Sequence, residues 1–206
     1  MQNNHLIEEA IKYFSKLPGF GPRSAKKTLL FFLKNKDLIE KFTHNLIELQ
    51  NTIQLCEICH NICTSNICDI CTSHTRNKKQ LCVVCEVDDI WNIEKSTIFK
   101  GVYHCLGGNL SAISGITPEK LTIQSLLNRI IDEKFEEIIF ANNLSIEGAT
   151  TVFYIIDEIE KLQNQGKINN IKITELANGI PLGGNLEYMD EGTIEVAFKA
   201  RRGINS

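Results

Sequence analysis

The first quarter of the chain repeats hydrophobic residues with the period of a helix. Apolar residues follow one helical face over residues 5–17, and a further apolar stripe predicts a helix over residues 37–50. Between them, Pro18 and Gly19 should end the first helix, and Pro22 should occupy the first turn of another helix. The pattern therefore predicts a helical arm over residues 1–53.

Beyond residue 80 the pattern changes to short apolar runs that alternate with helical stripes. Strands are predicted at 81–87, 101–106, 137–141 and 171–176, and helices at 88–95, 119–134 and 147–162. Strands that alternate with helices indicate an α/β domain with a largely parallel sheet and right-handed crossovers. A loop from Asn178 to Asp190 follows, and Asp190 could cap a terminal helix.

Two Cys-x-x-Cys pairs separate the helical arm from the α/β body. They are Cys56, Cys59, Cys68 and Cys71. Each pair can direct two sulfurs to one point, which is typical of a tetrahedral zinc site, and four protein ligands would make that site closed and structural. The alternatives are a disulfide framework or a redox pair. Cys63 in the spacer could also compete as a ligand, although it has no cysteine partner at the same spacing.

Cys82 and Cys85 form a third Cys-x-x-Cys, inside a predicted strand. Residues i and i+3 of a strand point to opposite faces, so these two thiols cannot share a metal unless the strand ends between them. We therefore interpret them as buried thiols.

The apolar runs of the sequence indicate the cellular compartment of these cysteines. Residues 1–17 contain no signal-peptide run, and the longest dense apolar run, Leu29–Leu33, is too short to span a bilayer. We expect a cytoplasmic protein, in which the eight cysteines serve as metal ligands and buried thiols rather than in disulfides.

Charge is unevenly distributed along the chain. The net charge is −3, but residues 1–53 carry eight Lys or Arg against five acidic residues, and the remainder carries fourteen against twenty. A basic arm on an acidic body suggests one surface that faces a polyanion. The alternative is a solvated helix face.

The segment between the first two predicted helices could bind DNA. Gly19 and Gly21 would let the backbone approach a phosphate closely, beside the outward-pointing amides of a new helix N-terminus. Arg23, Lys26 and Lys27 fall in the first turns of that helix. This is the helix-hairpin-helix pattern of elements that bind DNA independently of its sequence, so we predict DNA contact at these five residues.

Several motifs occur in a fixed order along the chain. They are Leu-Pro-Gly-Phe-Gly-Pro-Arg-Ser-Ala from Leu17, the four-cysteine cluster, Leu-Cys-Val-Val from Leu81, Leu110-Ser111 with Gly115-Ile116, Glu147-Gly148 with Thr151, and Ile180–Glu191. Together they resemble the motifs of the RecR family of bacterial recombination mediators. The resemblance covers nearly the whole chain, and it rests on the shared order and spacing of these motifs.

The resemblance implies four parts: a helix-hairpin-helix arm (1–53), a four-cysteine zinc finger (54–75), a Toprim-type domain (78–176), and a C-terminal Walker-B-like segment with a helix (177–206). It implies one structural Zn²⁺ on the four paired cysteines and places Arg23 and Lys27 against DNA. It also implies a homo-oligomeric ring, expected to be a tetramer. This ring would act as a clamp with RecO and RecF in recombinational repair, helping to load RecA on gapped or single-stranded DNA.

The body departs from the residues that a catalytic Toprim site requires. Cys85 stands where relatives have an acid, with Glu86 one place later, and Ala149 replaces another usual acid. The later strand ends in Asn142-Asn143, whose neutral amides bind Mg²⁺ poorly. No Walker A motif occurs in the sequence. We therefore expect no catalysis, and keep two alternatives: a Toprim-type nucleic-acid enzyme and a protein-only adaptor.

Overall fold

A computed structural model describes residues 4–142, 145–177, 179–201 and 203. The chain divides into two compact units, Met1–Ile53 and Gln54–Ser206, which we call the arm and the body. The arm holds helices α1 (Asn4–Phe14), α2 (Pro22–Lys34) and α3 (Lys36–Thr52). In the body the elements are β1 (Gln54–Leu55), β2 (Ile62–Cys63), α4 (Asp69–Thr72), β3 (Gln80–Val84), α5 (Val87–Ser96), β4 (Val102–Cys105), α6 (Ile123–Asp132), β5 (Glu137–Ala141), α7 (Ile146–Asn164), β6 (Lys172–Glu175) and α8 (Glu191–Lys199).

The first helix of the arm ends three residues before the predicted boundary at Leu17. The chain tightens after Phe14, because the amide of Leu17 donates to the Phe14 carbonyl at 3.1 Å in a shorter turn than that of an α-helix. Pro18 then disfavours helical geometry at the residue before it. The hairpin therefore begins earlier than the apolar stripe suggests.

The interior of the arm is small. Only Ala25 and Leu29 of α2 are buried, and α3 buries no residue. Phe32 stacks between Phe14 and Phe42, with ring centroids 5.8 Å and 5.5 Å apart. One aromatic ring from each of the three helices thus takes part in this stack.

The body contains a four-stranded sheet in the order β4-β3-β5-β6, with all neighbouring strands parallel. This confirms the predicted α/β class. Alternate residues of β3 serve different layers. Leu81 and Val83 join the apolar cluster that includes Leu126 of α6 and Ile155 of α7. Cys82 belongs to a second cluster that includes a residue of α5.

Two predicted boundaries in the body are wrong. The predicted strand 81–87 ends at Val84, because Glu86 already caps α5. The predicted helix 119–134 is a 3₁₀ turn at Pro118–Lys120 followed by α6. Between them, Thr122 is tied to the end of β4: its amide donates to Leu106 at 3.1 Å, and its hydroxyl donates to Cys105 at 2.7 Å.

The C-terminal segment contains a 3₁₀ turn at Leu186–Tyr188 and then α8. Asp190 caps α8, as predicted, by accepting a hydrogen bond from the Thr193 amide at 2.9 Å. The helix buries none of its residues. Asn178, where the predicted loop begins, lies outside the described residues. Across the part of the chain that the structure describes, no helix is both long and apolar enough to cross a membrane.

Candidate metal centre and nucleic-acid interface

The body opens with two short turns that bring four cysteine sulfurs together. The β1–β2 hairpin carries Cys56 and Cys59, and Cys68 and Cys71 stand at the start and inside of α4. The four Sγ atoms all lie within 4.8 Å of one another. All four residues are buried, with at most 7% of each exposed. The structure thus assembles the four predicted ligands into one cluster.

Backbone hydrogen bonds hold this cluster in shape. The Cys56 amide donates to the Asn61 carbonyl at 2.7 Å, and the His60 amide donates back to the Cys56 carbonyl at 2.9 Å. His60 adopts a left-handed backbone with φ of 58°, which closes the turn. From the second turn, the Cys68 amide donates to the Cys56 sulfur at 3.3 Å. The two Cys-x-x-Cys turns are therefore joined directly.

The donor set fits Zn²⁺. Thiolates about 2.3 Å from a tetrahedral zinc ion lie nearly 4 Å apart, and the Cys59 and Cys68 sulfurs are 3.5 Å apart. No disulfide joins any of the eight cysteines, all of which lie within the described residues. Hydrogen bonding between Cys59 and Cys68 lowers the pKa of Cys68 and raises the pKa of Cys59, so the thiolate of this pair lies on Cys68. Four buried sulfurs around one point form the donor set that a soft-ligand cation requires.

Cys63 lies beside this cluster but outside the group of four. Its sulfur donates to the Ser65 carbonyl at 2.8 Å, and its residue is partly exposed. The structure thus places Cys63 next to the candidate metal site, with its thiol turned toward a neighbouring backbone group.

Contacts that sequence reasoning missed attach the cluster to the sheet. The Cys105 amide at the end of β4 donates to the Cys59 carbonyl at 2.8 Å. The His60 ring lies 3.0 Å from the Ser125 hydroxyl and packs edge-on against the His104 ring. Burial lowers the pKa of His104 to about 3, so its ring is neutral at physiological pH. In the sequence, the only local indication of these contacts is His60, which directly follows Cys59.

The carboxyl ends of β3 and β5 are where a Toprim-type site would lie. Glu86 and Asp89 form a capping box on α5, in which the Glu86 amide donates to the Asp89 carboxylate at 2.9 Å. Asp88 and Asp89 lie in the first turn of that helix, as predicted. The side-chain Nδ2 and Oδ1 atoms of Asn142 are both buried without a hydrogen-bond partner in the described chain. Asn143 lies outside the described residues.

Cys85 follows the end of β3, and this position changes one reason given against a metal shared by Cys82 and Cys85. Because β3 ends at Val84, between Cys82 and Cys85, the opposite-face argument against a shared metal does not apply. Both residues are nevertheless buried, at 2% and 1% exposure, as predicted. The Cys85 thiol donates to the Asn109 side chain at 3.0 Å. The described part of the chain shows one group of three or more clustered metal-ligating residues, the four-cysteine cluster.

The arm presents the predicted hairpin between α1 and α2. Gly19 has a φ of 76°, a left-handed conformation that favours glycine, and the Phe20 amide closes the turn on the Leu17 carbonyl at 3.0 Å. Gly21 is the N-cap of α2, and Pro22 begins the helix. No side chain caps this N-terminus. The first amides of α2 are therefore left without a side-chain acceptor.

Three cations stand beside those amides. Arg23, Lys26 and Lys27 are all exposed, and none forms an ion pair with any residue that the structure describes. The buried residues Ala25 and Leu29 mark the opposite side of α2. The geometry therefore exposes positive charge and uncapped amides together at the start of this helix.

An apolar groove runs along the three helices of the arm. Its volume is about 720 Å³, and its lining includes Phe14, Phe32 and Phe42. Leu46 and Ile47 of α3 also line it and remain about half exposed, at 49% and 52%. Contiguous exposed apolar residues of this kind mark a candidate interaction surface.

Comparison with known proteins gives consistent similarities. Residues 79–174 match the model of the Toprim domain family, and residues 179–202 match that of the family described as RecR, C-terminal. The chain is 40% identical over 199 residues to Recombination protein RecR of Novosphingobium aromaticivorans, covering 96% of this chain and 97% of the relative. It is 42% identical over 201 residues to the same-named protein of Rickettsia bellii, covering 97% of each. It is 41% identical over 204 residues to that of a Ruegeria species, covering 98% of each.

Proposed function

The chain belongs to the RecR family of recombination proteins, and from that membership we propose that it is a zinc-containing, DNA-binding clamp of recombinational repair. In this role it binds gapped or single-stranded DNA without regard to sequence. It forms a homo-oligomeric ring, a tetramer, and works with RecO and RecF to help load RecA. The four parts bounded at residues 1–53, 54–75, 78–176 and 177–206 are proposed as its domains.

The observation that carries DNA binding is the uncapped N-terminus of α2 beside unpaired cations. Amides at a helix N-terminus and ammonium or guanidinium groups both bind phosphate oxygens, and neither reads base edges. Gly19 and Gly21 leave open space, because a Cβ built on either would meet no atom within 4 Å. A phosphate could occupy that space, in contact with the backbone and with Arg23.

The proposed Zn²⁺ has a structural role. Cys56, Cys59, Cys68 and Cys71 would supply all four ligands of a tetrahedral ion, which leaves no position for water or substrate. Bound there, the ion would supply folding free energy rather than Lewis-acid chemistry. The backbone bond from Cys105 to Cys59 links the metal-holding turns to the sheet.

The body acts as a scaffold rather than as an enzyme. Magnesium requires several carboxylate oxygens at one point. Glu86 and Asp89 instead satisfy backbone amides at the start of α5, and Cys85 is buried with its thiol directed to Asn109. Among the described residues, Asp88 is exposed at the start of α5 but does not belong to any cluster of three or more metal-ligating groups. We therefore infer that the described ends of β3 and β5 do not assemble the carboxylates that a Toprim-type nuclease or topoisomerase would use.

The ring is proposed to form partly through the arm. The apolar groove of about 720 Å³ leaves residues such as Leu46 half exposed in a single chain. Covering such a surface with a second copy would add the burial that the arm lacks.

Gly21→Ala tests the proposed DNA contact with little risk to folding. Gly21 has a φ of −81°, which alanine adopts readily, and the added Cβ meets no protein atom within 4 Å. The methyl group should nonetheless hold a phosphate away from the α2 amides. Loss of one charge-assisted hydrogen bond would weaken single-stranded DNA binding about tenfold in fluorescence anisotropy.

Gly179→Ala is the matched control, because its Cβ also enters open space. It should bind DNA like the unaltered protein. Equal affinity for Gly21→Ala and Gly179→Ala would mean that no phosphate approaches the hairpin backbone. Full loss of binding in both would point to a non-specific effect of the substitution.

A further inference from the structure

A second pocket lies in the body beside the four-cysteine cluster. Its volume is about 440 Å³, within the range of sites that bind small ligands and peptide side chains. Ile58 and the buried Val102 line it and form an apolar floor, and the buried residue Cys71 lines it beside them. Lys78 and Lys134 line it and are exposed, so they form its rim.

The remaining charges of the pocket are already paired. Arg129 donates through Nε to Glu133 at 2.7 Å and through Nη1 to the Tyr103 carbonyl at 2.6 Å. Lys79 forms an ion pair with Glu136. By contrast, Lys78 and Lys134 form no ion pair with any described residue. Two ammonium groups at the rim are therefore free to meet an anionic ligand.

The proposed metal centre would restrict which anion can fit. Four thiolates around a bound Zn²⁺ would carry a formal charge of about −2, and Cys71, a proposed ligand, lines the pocket. A bare phosphate that entered deeply would face this negative centre. A ligand with an apolar group at the floor and carboxylates at the rim avoids that repulsion and uses both surfaces.

We propose that this pocket binds an acidic peptide segment of a partner protein. One aliphatic side chain of the peptide packs on Ile58 and Val102, and flanking carboxylates pair with Lys78 and Lys134. Free ammonium groups above an apolar floor match an acidic segment that carries a single apolar anchor. This site is separate from the proposed DNA contacts and does not depend on them.

The test uses the full-length, zinc-loaded protein and a fluorescein-labelled peptide of sequence Asp-Asp-Leu-Asp-Asp in anisotropy titrations. The unaltered protein should bind this peptide. Replacing leucine with glycine, or all four aspartates with asparagines, should weaken binding. The double substitution Lys78→Ala/Lys134→Ala should weaken binding about fivefold, because it removes two exposed ion pairs.

The matched control is Lys100→Ala/Lys167→Ala, which removes the same charge from two exposed lysines that form no ion pair in the described structure. It should leave peptide affinity unchanged, and zinc content should be equal in all variants. The proposal fails if the peptide does not bind, if the glycine peptide binds equally well, or if both double variants lose the same affinity. It also fails if only an oligothymidylate, and not the peptide, depends on Lys78 and Lys134.

Discussion

The arm and the body differ in how much apolar surface they bury. In the body, Leu81, Ile138 and Ile155 are completely buried between the parallel sheet and its helices. In the arm, α3 buries nothing, and Phe42 and Leu46 are exposed by almost half. The body therefore has a core of its own, whereas the arm buries too few residues to form a comparable one.

Charge follows the same division. Described cations in the body are often paired, as in Arg76 with Glu94, Arg129 with Glu133, and Lys172 with Glu137. Over residues 4–53, as described, no ion pair forms. The comparison indicates that much of the charge in the body contributes to local structure, apart from unpaired lysines such as Lys78 and Lys134, whereas charge in the described arm is unpaired throughout.

The largest effect on the stability of the body should come from removing a proposed metal ligand. Structural zinc contributes about 10 kcal/mol or more to the folding of small zinc-binding domains. Cys68→Ser should therefore lose zinc, which elemental analysis measures. It should also unfold the two cysteine turns, which are bonded to the sheet through the Cys59 carbonyl, and thermal unfolding measures that loss of stability. Cys63→Ser is the control and should keep one zinc per chain. Full zinc in Cys68→Ser would refute the assignment.

Truncating an apolar side chain should lower the unfolding free energy more in the body than in the arm. Ile138→Ala leaves a cavity among residues that are completely buried and should cost about 2–5 kcal/mol of unfolding free energy. Leu46→Ala removes a side chain that is 49% exposed and should cost the arm under about 1 kcal/mol. Urea unfolding followed by the fluorescence of Trp91, the single tryptophan, measures the cost in the body, and the helical circular dichroism signal measured in the same titration includes the arm.

Leu46→Ala should have its main effect on assembly. Size exclusion with light scattering should show a smaller oligomer for Leu46→Ala and an unchanged one for Ile138→Ala at temperatures where it is folded. The opposite result would mean that the arm face is not a contact between copies.

A smaller effect should follow from neutralising Glu94. Its carboxylate accepts hydrogen bonds from Arg76 at 2.5 Å and from the Tyr103 hydroxyl at 2.6 Å, and the Arg76 bond chiefly lowers the Glu94 pKa. A lowered folded-state pKa adds stability that is present above the unfolded pKa, near 4.3, and lost as pH falls through the folded value. Glu94→Gln should therefore cost about 2 kcal/mol at pH 7 and progressively less below about pH 4.

Chemical denaturation at several pH values measures this difference. Glu195→Gln, in an exposed pair with Lys199, is the control and should show no measurable change. A Glu94→Gln cost that stays constant down to pH 2 would contradict the role of the Arg76 interaction.

Local patterns in the sequence predicted elements whose causes are local. The strand at Glu137–Ala141 and the Asp190 cap are both confirmed, because apolar patterning and capping depend on near neighbours. The RecR relationship and the assembly of the four cysteines also followed from motifs. The strand after Leu81 was drawn too long, because the capping role of Glu86 competes with strand formation.

Interactions between distant residues could not be predicted in this way. Thr122 interrupts the predicted helix 119–134 because it bonds to Cys105, seventeen positions earlier. His60 meets Ser125 and His104 only after the sheet forms. Lys78 and Lys134 line the same pocket although more than fifty residues separate them in the sequence. No periodic pattern in the sequence predicts that they lie in the same pocket.

The most direct test of the central claim, that the arm binds DNA phosphates, is the salt dependence of binding. Log affinity should fall linearly with log salt, and removing one bound phosphate from the interface should reduce the slope by about 0.7 on single-stranded DNA. Arg23→Ala/Lys27→Ala should nearly abolish binding and lower the slope by about 1.4 or more, with zinc content and oligomeric state unchanged.

The matched control for that measurement is Lys100→Ala/Lys167→Ala. Lys161 would not serve, because it is paired with Asp157 and Glu158. The control should retain the affinity and the slope of the unaltered protein. If the arm and control variants lose affinity and slope equally, net charge rather than the hairpin binds DNA, and the central claim is wrong.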